Sequence, residues 1–271
     1  MRFVCLLTRR YLRHGVGIRS AALAFYLLFS VFPFLIFISA LLGLLQLDGA
    51  EILAELGTLL PREAVELMGV YLRHVREHSS MRLALFGLVF SVYFPMRAAN
   101  ALLRAVRTAY HLGPPRVGAG HRLRALLATG VLVGGIALTL TVMTVGERLL
   151  DWGRMILPAI LAELWLWLRL PAAAAAGFSA LLALYALAQD GRRRGRELWP
   201  GAAVALAVWL GASWLYALYV EHFADYSLLY GSLGAVMVLL VWLYLSAVVL
   251  IMGAEVNGVL IALRRETETA C

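Results

Sequence analysis

The feature that most constrains this chain is an uncharged apolar stretch near its C-terminal end. Residues 231–253 carry no charged side chain, and Glu255 and Asn257 follow before the chain becomes basic at Arg264. An apolar run of about 18 or more residues, rising about 1.5 Å per residue in a helix, crosses a hydrocarbon core of roughly 30 Å. The stretch therefore predicts a membrane-spanning helix with a carboxylate near one end.

Five further apolar segments predict an all-α integral membrane protein. Only 15% of the 271 residues are charged, compared with about 25% in an average soluble domain. The first apolar run is longer than the roughly 7–15 residues of a signal-peptide core, so it is predicted to be an uncleaved span. We expect one membrane domain, residues 1–271, with six transmembrane helices at about 20–45, 83–103, 125–145, 171–188, 199–220 and 231–257.

The segments between the predicted spans alternate in charge, which predicts the topology. The N-terminal tail, region 97–124, loop 190–197 and the C-terminal tail carry 17 of the 24 arginines but four acids. The opposite face carries seven arginines and 11 acids. Because positively charged loops stay in the cytoplasm, both termini are predicted to be cytoplasmic. The basic loops should attract anionic lipids of the inner leaflet, and the net charge of +8 need not indicate nucleic acid.

Region 46–80 is predicted to form amphipathic extracytoplasmic helices. In its second half, Val65, Met68, Leu72 and Val75 repeat at helical spacing and form one apolar stripe.

Four polar residues are predicted to form a cluster inside the membrane boundary. Residues 83–96 are too short to cross a bilayer, so that span has to continue past Arg97 and Asn100. Arg97 then lies about 10 Å before Arg104, and Glu255 about 13 Å before Arg264, so their depths are similar. A buried carboxylate needs a cationic partner.

By depth, the candidates to pair with Glu255 are Arg97 and Arg19, and Asn100 and Asn257 complete the polar cluster. Two interpretations stay open. The favoured one is that the cluster holds the helices together, and the other is that it lines a substrate path.

The remaining candidate residues have structural interpretations. Pro33 and Pro95 predict helix kinks, Tyr230 an interfacial anchor, and Gly231 and Gly234 close helix packing. No nucleophile with a base, nucleotide-binding fingerprint or clustered acid site is present in the sequence. We therefore predict no enzymatic activity, no metal and no cofactor.

Two motifs resemble the YihY/BrkB family of bacterial inner-membrane proteins. They are RSAALAFYLLFSVFPFLIF at residues 19–37 and YGSLGAVMVLLVWLYLSAVVLIMGAEVNGVL at residues 230–260. The resemblance implies six spans, cytoplasmic termini and a role in the cell envelope, including lipid or solute transport. That family was once labelled a ribonuclease, a label regarded as mistaken. The positions that match the family pattern are Pro33, Tyr230, Gly231, Gly234, Glu255 and Asn257.

Three functions follow as hypotheses. The first is a transporter or lipid-handling protein of the inner membrane, in which Arg97, Asn100, Glu255 and Asn257 line a cavity. The alternative is a scaffold that acts through envelope partners and transports nothing. The third is a ribonuclease, which would have to use Asp190 or Glu197, the acids expected in the cytoplasm beside the bundle.

Overall fold

A computed structural model describes residues 2–44, 80–113, 120, 123–135, 138–139, 159–189, 197–222 and 232–269. Within these ranges the chain is helical and contains no strand, which confirms the all-α class. The helices are α1 (Arg2–Arg13), α2 (Val16–Leu44), α3 (Met81–Ala109), α4 (Leu123–Gly135), α5 (Ala159–Ala188), α6 (Trp199–His222) and α7 (Ser232–Thr269).

Five of the helices are long and apolar enough to cross a membrane, and they lie at the positions of five of the predicted spans. They are Val16–Phe37, Met81–Ala109, Leu170–Ala188, Trp199–Val220 and Val236–Arg264. The predicted span 125–145 is described over α4, which is a shorter apolar helix, and over two residues beyond it. The predicted amphipathic region 46–80 lies outside the described residues except for Ser80, and Tyr230 and Gly231 also lie outside them.

The last helix is longer than the predicted span. It continues to Thr269, well beyond the expected end at Asn257. Glu255 therefore lies inside a continuous helix. A span that ended at Asn257 would have placed the carboxylate near the negative end of the helix dipole, but the observed helix does not.

The described chain divides into two compact units, one formed by residues 1–25 and 96–271 and the other by residues 26–95. In the second unit, Pro33 lies inside α2 and Pro95 inside α3. A Cβ at Gly87 would lie 2.6 Å from the backbone nitrogen of Phe37, so the two helices are in backbone contact there. The expectation of one membrane domain stays a prediction.

In the first unit, α6 and α7 pack closely because small residues face each other. A Cβ added at Gly253 would lie 2.6 Å from the Cβ of Ala205 and 2.7 Å from the carbonyl oxygen of Gly201. Further along the same interface, the indole of Trp209 donates a hydrogen bond to the hydroxyl of Ser246 at 3.0 Å. Small residues that let helix backbones approach are the usual basis of helix association in membranes.

We predict that Gly253→Ala destabilises the protein, because the new methyl group forces α6 and α7 apart. Overpacking of this kind costs about 1–3 kcal/mol. Thermal unfolding of the detergent-purified protein, followed by tryptophan fluorescence, measures the loss. Gly211→Ala in α6 is the matched control, because no atom lies within 4 Å of its added Cβ. Equal melting temperatures for the two variants would contradict the close packing.

Candidate functional site

The candidate site is built around Glu255, a residue that is 0% exposed and that lies in α7, one of the candidate membrane spans. On α7 it stands between small or apolar neighbours, Gly253, Ala254 and Val256, which are also buried. An ionised side chain at membrane depth is costly and is normally paired. The question is therefore which groups approach the carboxylate.

Both partners of Glu255 come from the N-terminal segment: one lies on α1 and the other is the residue that follows it. The Nδ1 atom of His14 lies 2.6 Å from Oε1 of Glu255, and Nη1 of Arg10 lies 3.5 Å from Oε2. At 2.6 Å one proton must lie between the imidazole and the carboxylate, whichever of the two groups carries it. The buried charge is thus compensated by two groups on one face of α1.

The chain reaches this position because it turns sharply between α1 and α2. Gly15 has φ 58°, in the left-handed region that glycine enters without steric cost, and it follows the end of α1. The phenol of Tyr11 is hydrogen-bonded to Tyr244 of α7. Because α1 is folded back against α7 in this way, residues near the N-terminus meet a helix near the C-terminus.

Arg10 also ties α1 to the end of α3. Its Nη1 donates to the carbonyl oxygen of Ala109 at 3.2 Å, in addition to its contact with Glu255. Gly258 leaves room for this arrangement, because a Cβ there would lie 2.6 Å from Nη1 of Arg10 and would collide with the carbonyl of Ala109. The site therefore joins α1, α3 and α7.

Asn257, two residues after Glu255 on α7, is a cross-link that makes three hydrogen bonds. Its side chain is 0% exposed. Its oxygen accepts from the backbone N–H of Gly201 at 2.7 Å, and its nitrogen donates to the carbonyl of Leu198 at 2.7 Å and to the phenol of Tyr110 at 2.9 Å. Gly201 lies in the first turn of α6, whose N–H groups have no partner in their own helix, so Asn257 caps α6 from another helix.

Two more arginines bind backbone carbonyls at the same end of this unit. Arg107 is buried, and it donates to the carbonyls of Gly113 at 3.1 Å and of Ala188, the last residue of α5, at 3.0 Å. Arg19 donates to the carbonyl of Arg104 at 3.5 Å and to the hydroxyl of Thr108 at 2.7 Å. The ends of α3 and α5, the start of α6 and the late part of α7 therefore meet here.

The partners of Glu255 are thus Arg10 and His14 rather than the expected Arg97 or Arg19. Arg97 is an exposed side chain, and the two ion pairs of Glu255 described above are with Arg10 and His14. The comparison of membrane depths considered only residues in or next to the predicted spans. The arginines of the N-terminal tail were used only to predict the topology. The missed signal was the face of α1, where Arg10 and His14 stand in helical register with Leu6, Leu7 and Tyr11.

Asn100 also serves a different purpose from the expected one. Its side-chain nitrogen donates to the carbonyl of Met96 one turn earlier, at 2.9 Å. Its buried oxygen has no hydrogen-bond partner among the described residues. Of the four predicted members, the structure brings Glu255 and Asn257 to one end of the first unit, and the recorded bond of Asn100 stays within its own helix.

His111 stands beside the cluster in an unusual backbone conformation. Its φ is 54°, and it ends α3 in the position that glycine most often occupies: Leu112 N–H donates to the carbonyl of Arg107, and His111 N–H to that of Thr108. Its ring meets the ring of His14 edge-on, with centroids 5.7 Å apart. A non-glycine residue here carries a steric cost, which the ring contact offsets in part.

These features define an α-helical membrane protein with a polar cluster at one end of a helix bundle. Within the described residues, no group of three or more His, Cys, Asp or Glu side chains is placed to hold a metal ion. The chain belongs to the virulence factor BrkB family, whose family model matches residues 7–270.

Among its relatives are bacterial membrane proteins and a protein with a ribonuclease-like name. The chain is 32% identical over 266 residues to the ribonuclease-like protein YfkH of Bacillus subtilis, a match that covers 96% of this chain and 95% of YfkH. It is 29% identical to a UPF0761 membrane protein of Chromohalobacter salexigens and 27% identical to one of Pseudomonas aeruginosa, over 92% and 93% of this chain. The chain spans 60% and 61% of the length of those two relatives. No solved structure matches it.

We predict that Asn257→Ala lowers stability by at least about 1–3 kcal/mol, because three groups on two other elements lose a buried partner. The measurement is the melting temperature of the purified protein. Asn100→Ala is the control and should cost less, because its recorded hydrogen bond returns to its own helix. A larger loss for the Asn100 variant would contradict the cross-linking role of Asn257.

The pKa of His111 predicts a pH dependence of stability. Burial lowers this pKa, the charges of Arg10, His14 and Arg13 lower it further, and Glu255 acts in the opposite direction. Below the ordinary value of about 6.5, the unfolded chain therefore binds more protons at this position than the folded chain. The contribution of neutral His111 is complete above that pH and is lost as the pH falls through the lowered pKa.

We expect His111→Asn to lose less stability than the parent protein between about pH 7 and pH 5, because asparagine tolerates positive φ and does not titrate. Melting temperatures of both proteins across this range measure the two slopes. Parallel slopes would show that His111 does not titrate differently in the two states.

Proposed function

We propose that this chain is a transporter or lipid-handling protein of the bacterial inner membrane, with both termini in the cytoplasm. The cluster of Arg10, His14 and Glu255 is its cytoplasmic gate. An anionic head group or solute competes with Glu255 for the Arg10 guanidinium and the His14 imidazole. When the anion displaces Glu255 from these groups, α1 separates from α7. Asn257 belongs to the fixed frame around the gate.

The observation that carries this proposal is the pairing of a fully buried carboxylate on a membrane-spanning helix with groups from a helix too short to span. Ionisable residues at membrane depth often mark substrate or proton pathways. If the pair served only to hold the bundle together, apolar residues of similar size would do so at lower desolvation cost. A carboxylate that exchanges partners justifies that cost.

The cytoplasmic placement is supported by two independent arguments. Positive charge favours the cytoplasm for the N-terminal tail, region 97–124 and loop 190–197. The contacts of Arg10, Arg107 and Asn257 bring the ends of the adjoining helices together at one end of the first unit. The segments that the charge distribution assigns to the cytoplasm are therefore also the segments whose helix ends lie together in the first unit.

The alternative is a scaffold that transports nothing and acts through envelope partners. It is favoured by the closed packing of α6 on α7 at Gly253 and by the complete hydrogen bonding of Asn257. Under this alternative, changes at Glu255 would act through stability alone.

We further propose that the chain is not a ribonuclease, although the name of YfkH describes that protein as ribonuclease-like. Glu255 has no second carboxylate beside it among the described residues, and the groups that approach it are the guanidinium of Arg10 and the imidazole of His14. Incubation of the purified protein with RNA, followed by analysis of cleavage products, tests this. RNA cleavage that persists through purification and disappears in Glu197→Gln would contradict it.

The gate is tested by Glu255→Gln in liposomes that contain the purified protein. Movement of fluorescent phospholipids, anionic and zwitterionic, is followed by chemical quenching of the outer leaflet. We expect the variant to change the rate by at least about tenfold, since loss of a charge-assisted hydrogen bond worth about 1.5–3 kcal/mol exceeds the 1.4 kcal/mol of one decade.

The matched control is Glu266→Gln, which removes the same charge from the exposed end of the same helix. The control should match the parent protein in rate and yield. Parallel loss of folded protein and rate in Glu255→Gln would favour the scaffold. The absence of movement of any tested lipid or of envelope solutes with the parent protein would refute the proposal.

A further inference from the structure

The short helix α1 has three distinct faces, and the site described above uses one of them. Arg10, Tyr11 and His14 point toward the protein and bind groups on α3 and α7. The other two faces are exposed and make none of these contacts. Their residue pattern therefore reflects a different environment.

One exposed face is an apolar strip. Val4 is 64% exposed and Leu12 is 73% exposed, and Cys5 is exposed between them in helical register. Thr8 lies on the same strip, but its hydroxyl donates to the carbonyl of Val4 at 3.0 Å, so it presents its methyl group without an unsatisfied donor. Such a strip is poorly suited to water.

The other exposed face is basic. Arg9 and Arg13 are both exposed and stand four residues apart, so they form one row beside the apolar strip. No acidic residue occurs in residues 2–13. A row of one sign without counter-charges on its own helix is complementary to an anionic surface.

The connection to α2 places α1 at the membrane surface. Only His14 and Gly15 separate α1 from α2, whose first 22 residues are a candidate span. Helices with an apolar strip, an adjoining basic edge and this position characteristically lie in the plane of the interface.

We propose that α1 is an in-plane anchor that binds anionic phospholipids of the leaflet at its end of the bundle. The strip of Val4, Cys5 and Leu12 enters the acyl-chain boundary, and Arg9 and Arg13 bind head-group phosphates. This inference does not depend on the proposed transport function, because a scaffold would present the same surface. It gives each face of α1 an environment: protein, acyl chains and phosphates.

The test uses the full-length protein with Cys271→Ser, which leaves Cys5 as the single thiol of a chain with two cysteines. A nitroxide is attached to Cys5 in nanodiscs of phosphatidylcholine, with or without phosphatidylglycerol. Collision with oxygen reports immersion, and collision with a water-soluble nickel chelate reports exposure to water. We expect the label to be immersed in anionic discs and more exposed in zwitterionic ones.

Arg9→Gln combined with Arg13→Gln should remove most of the difference between the two lipids. The control combines Arg82→Gln with Arg264→Gln, which removes the same charge from exposed positions on other helices and should keep the difference. As a second variant, Leu12→Ser should move the label toward water in both lipids without changing the charge.

Three outcomes would overturn the proposal. A label that the nickel chelate reaches equally in both lipids places the strip in water. A label that neither oxygen nor the nickel chelate reaches, at every lipid composition, indicates that a second protein surface covers the strip. If the Arg82 and Arg264 substitutions change the lipid dependence of the label as much as the Arg9 and Arg13 substitutions do, the dependence reflects the net charge of the protein and not a contact of α1.

Discussion

The carboxylate of Glu255 is the constraint on which the described end of this protein depends. In a low-dielectric environment an ion cannot stand alone, and its partners have to come from another part of the chain. They come from α1, which is folded back by the turn at Gly15. The requirement of one buried charge thus fixes the position of a helix that is too short to span a bilayer.

The polar backbone groups at the helix ends nearby also need partners from other parts of the chain. Each helix leaves backbone groups unpaired at its termini, and inside a membrane protein water does not reach all of them. Asn257 serves the start of α6, Arg107 serves the end of α5, and Arg10 serves the end of α3. These side chains cap helix ends, as short polar residues do in soluble proteins, but they come from neighbouring helices. The same hydrogen bond therefore caps one helix and joins it to another.

Much of the architecture could be predicted from the sequence, because the energy of burying an apolar segment in lipid depends on that segment alone. Six spans were predicted for this reason, and long apolar helices lie at five of those positions among the described residues. Asn257 and Glu255 were identified as exceptional because they interrupt such a segment. Their partners could not be predicted in the same way. The contact of Glu255 with His14 joins residues 241 positions apart, and it depends on one glycine with positive φ. His111 was missed because a helix end with a histidine in the glycine position leaves no pattern in the sequence.

The three faces of α1 connect the site to the membrane. In the proposed arrangement, Arg10 and His14 hold α1 to the carboxylate of Glu255. Arg9 and Arg13 hold it to the phosphates of a leaflet on another side. Any force that lifts it from the leaflet, or any anion that displaces Glu255, acts on the same rigid element of three turns. By linkage, a ligand that binds one arrangement of α1 more tightly must shift the other contact by the same free energy. The lipid surface and the buried carboxylate are therefore coupled through α1 whether the protein transports a substrate or assembles with partners.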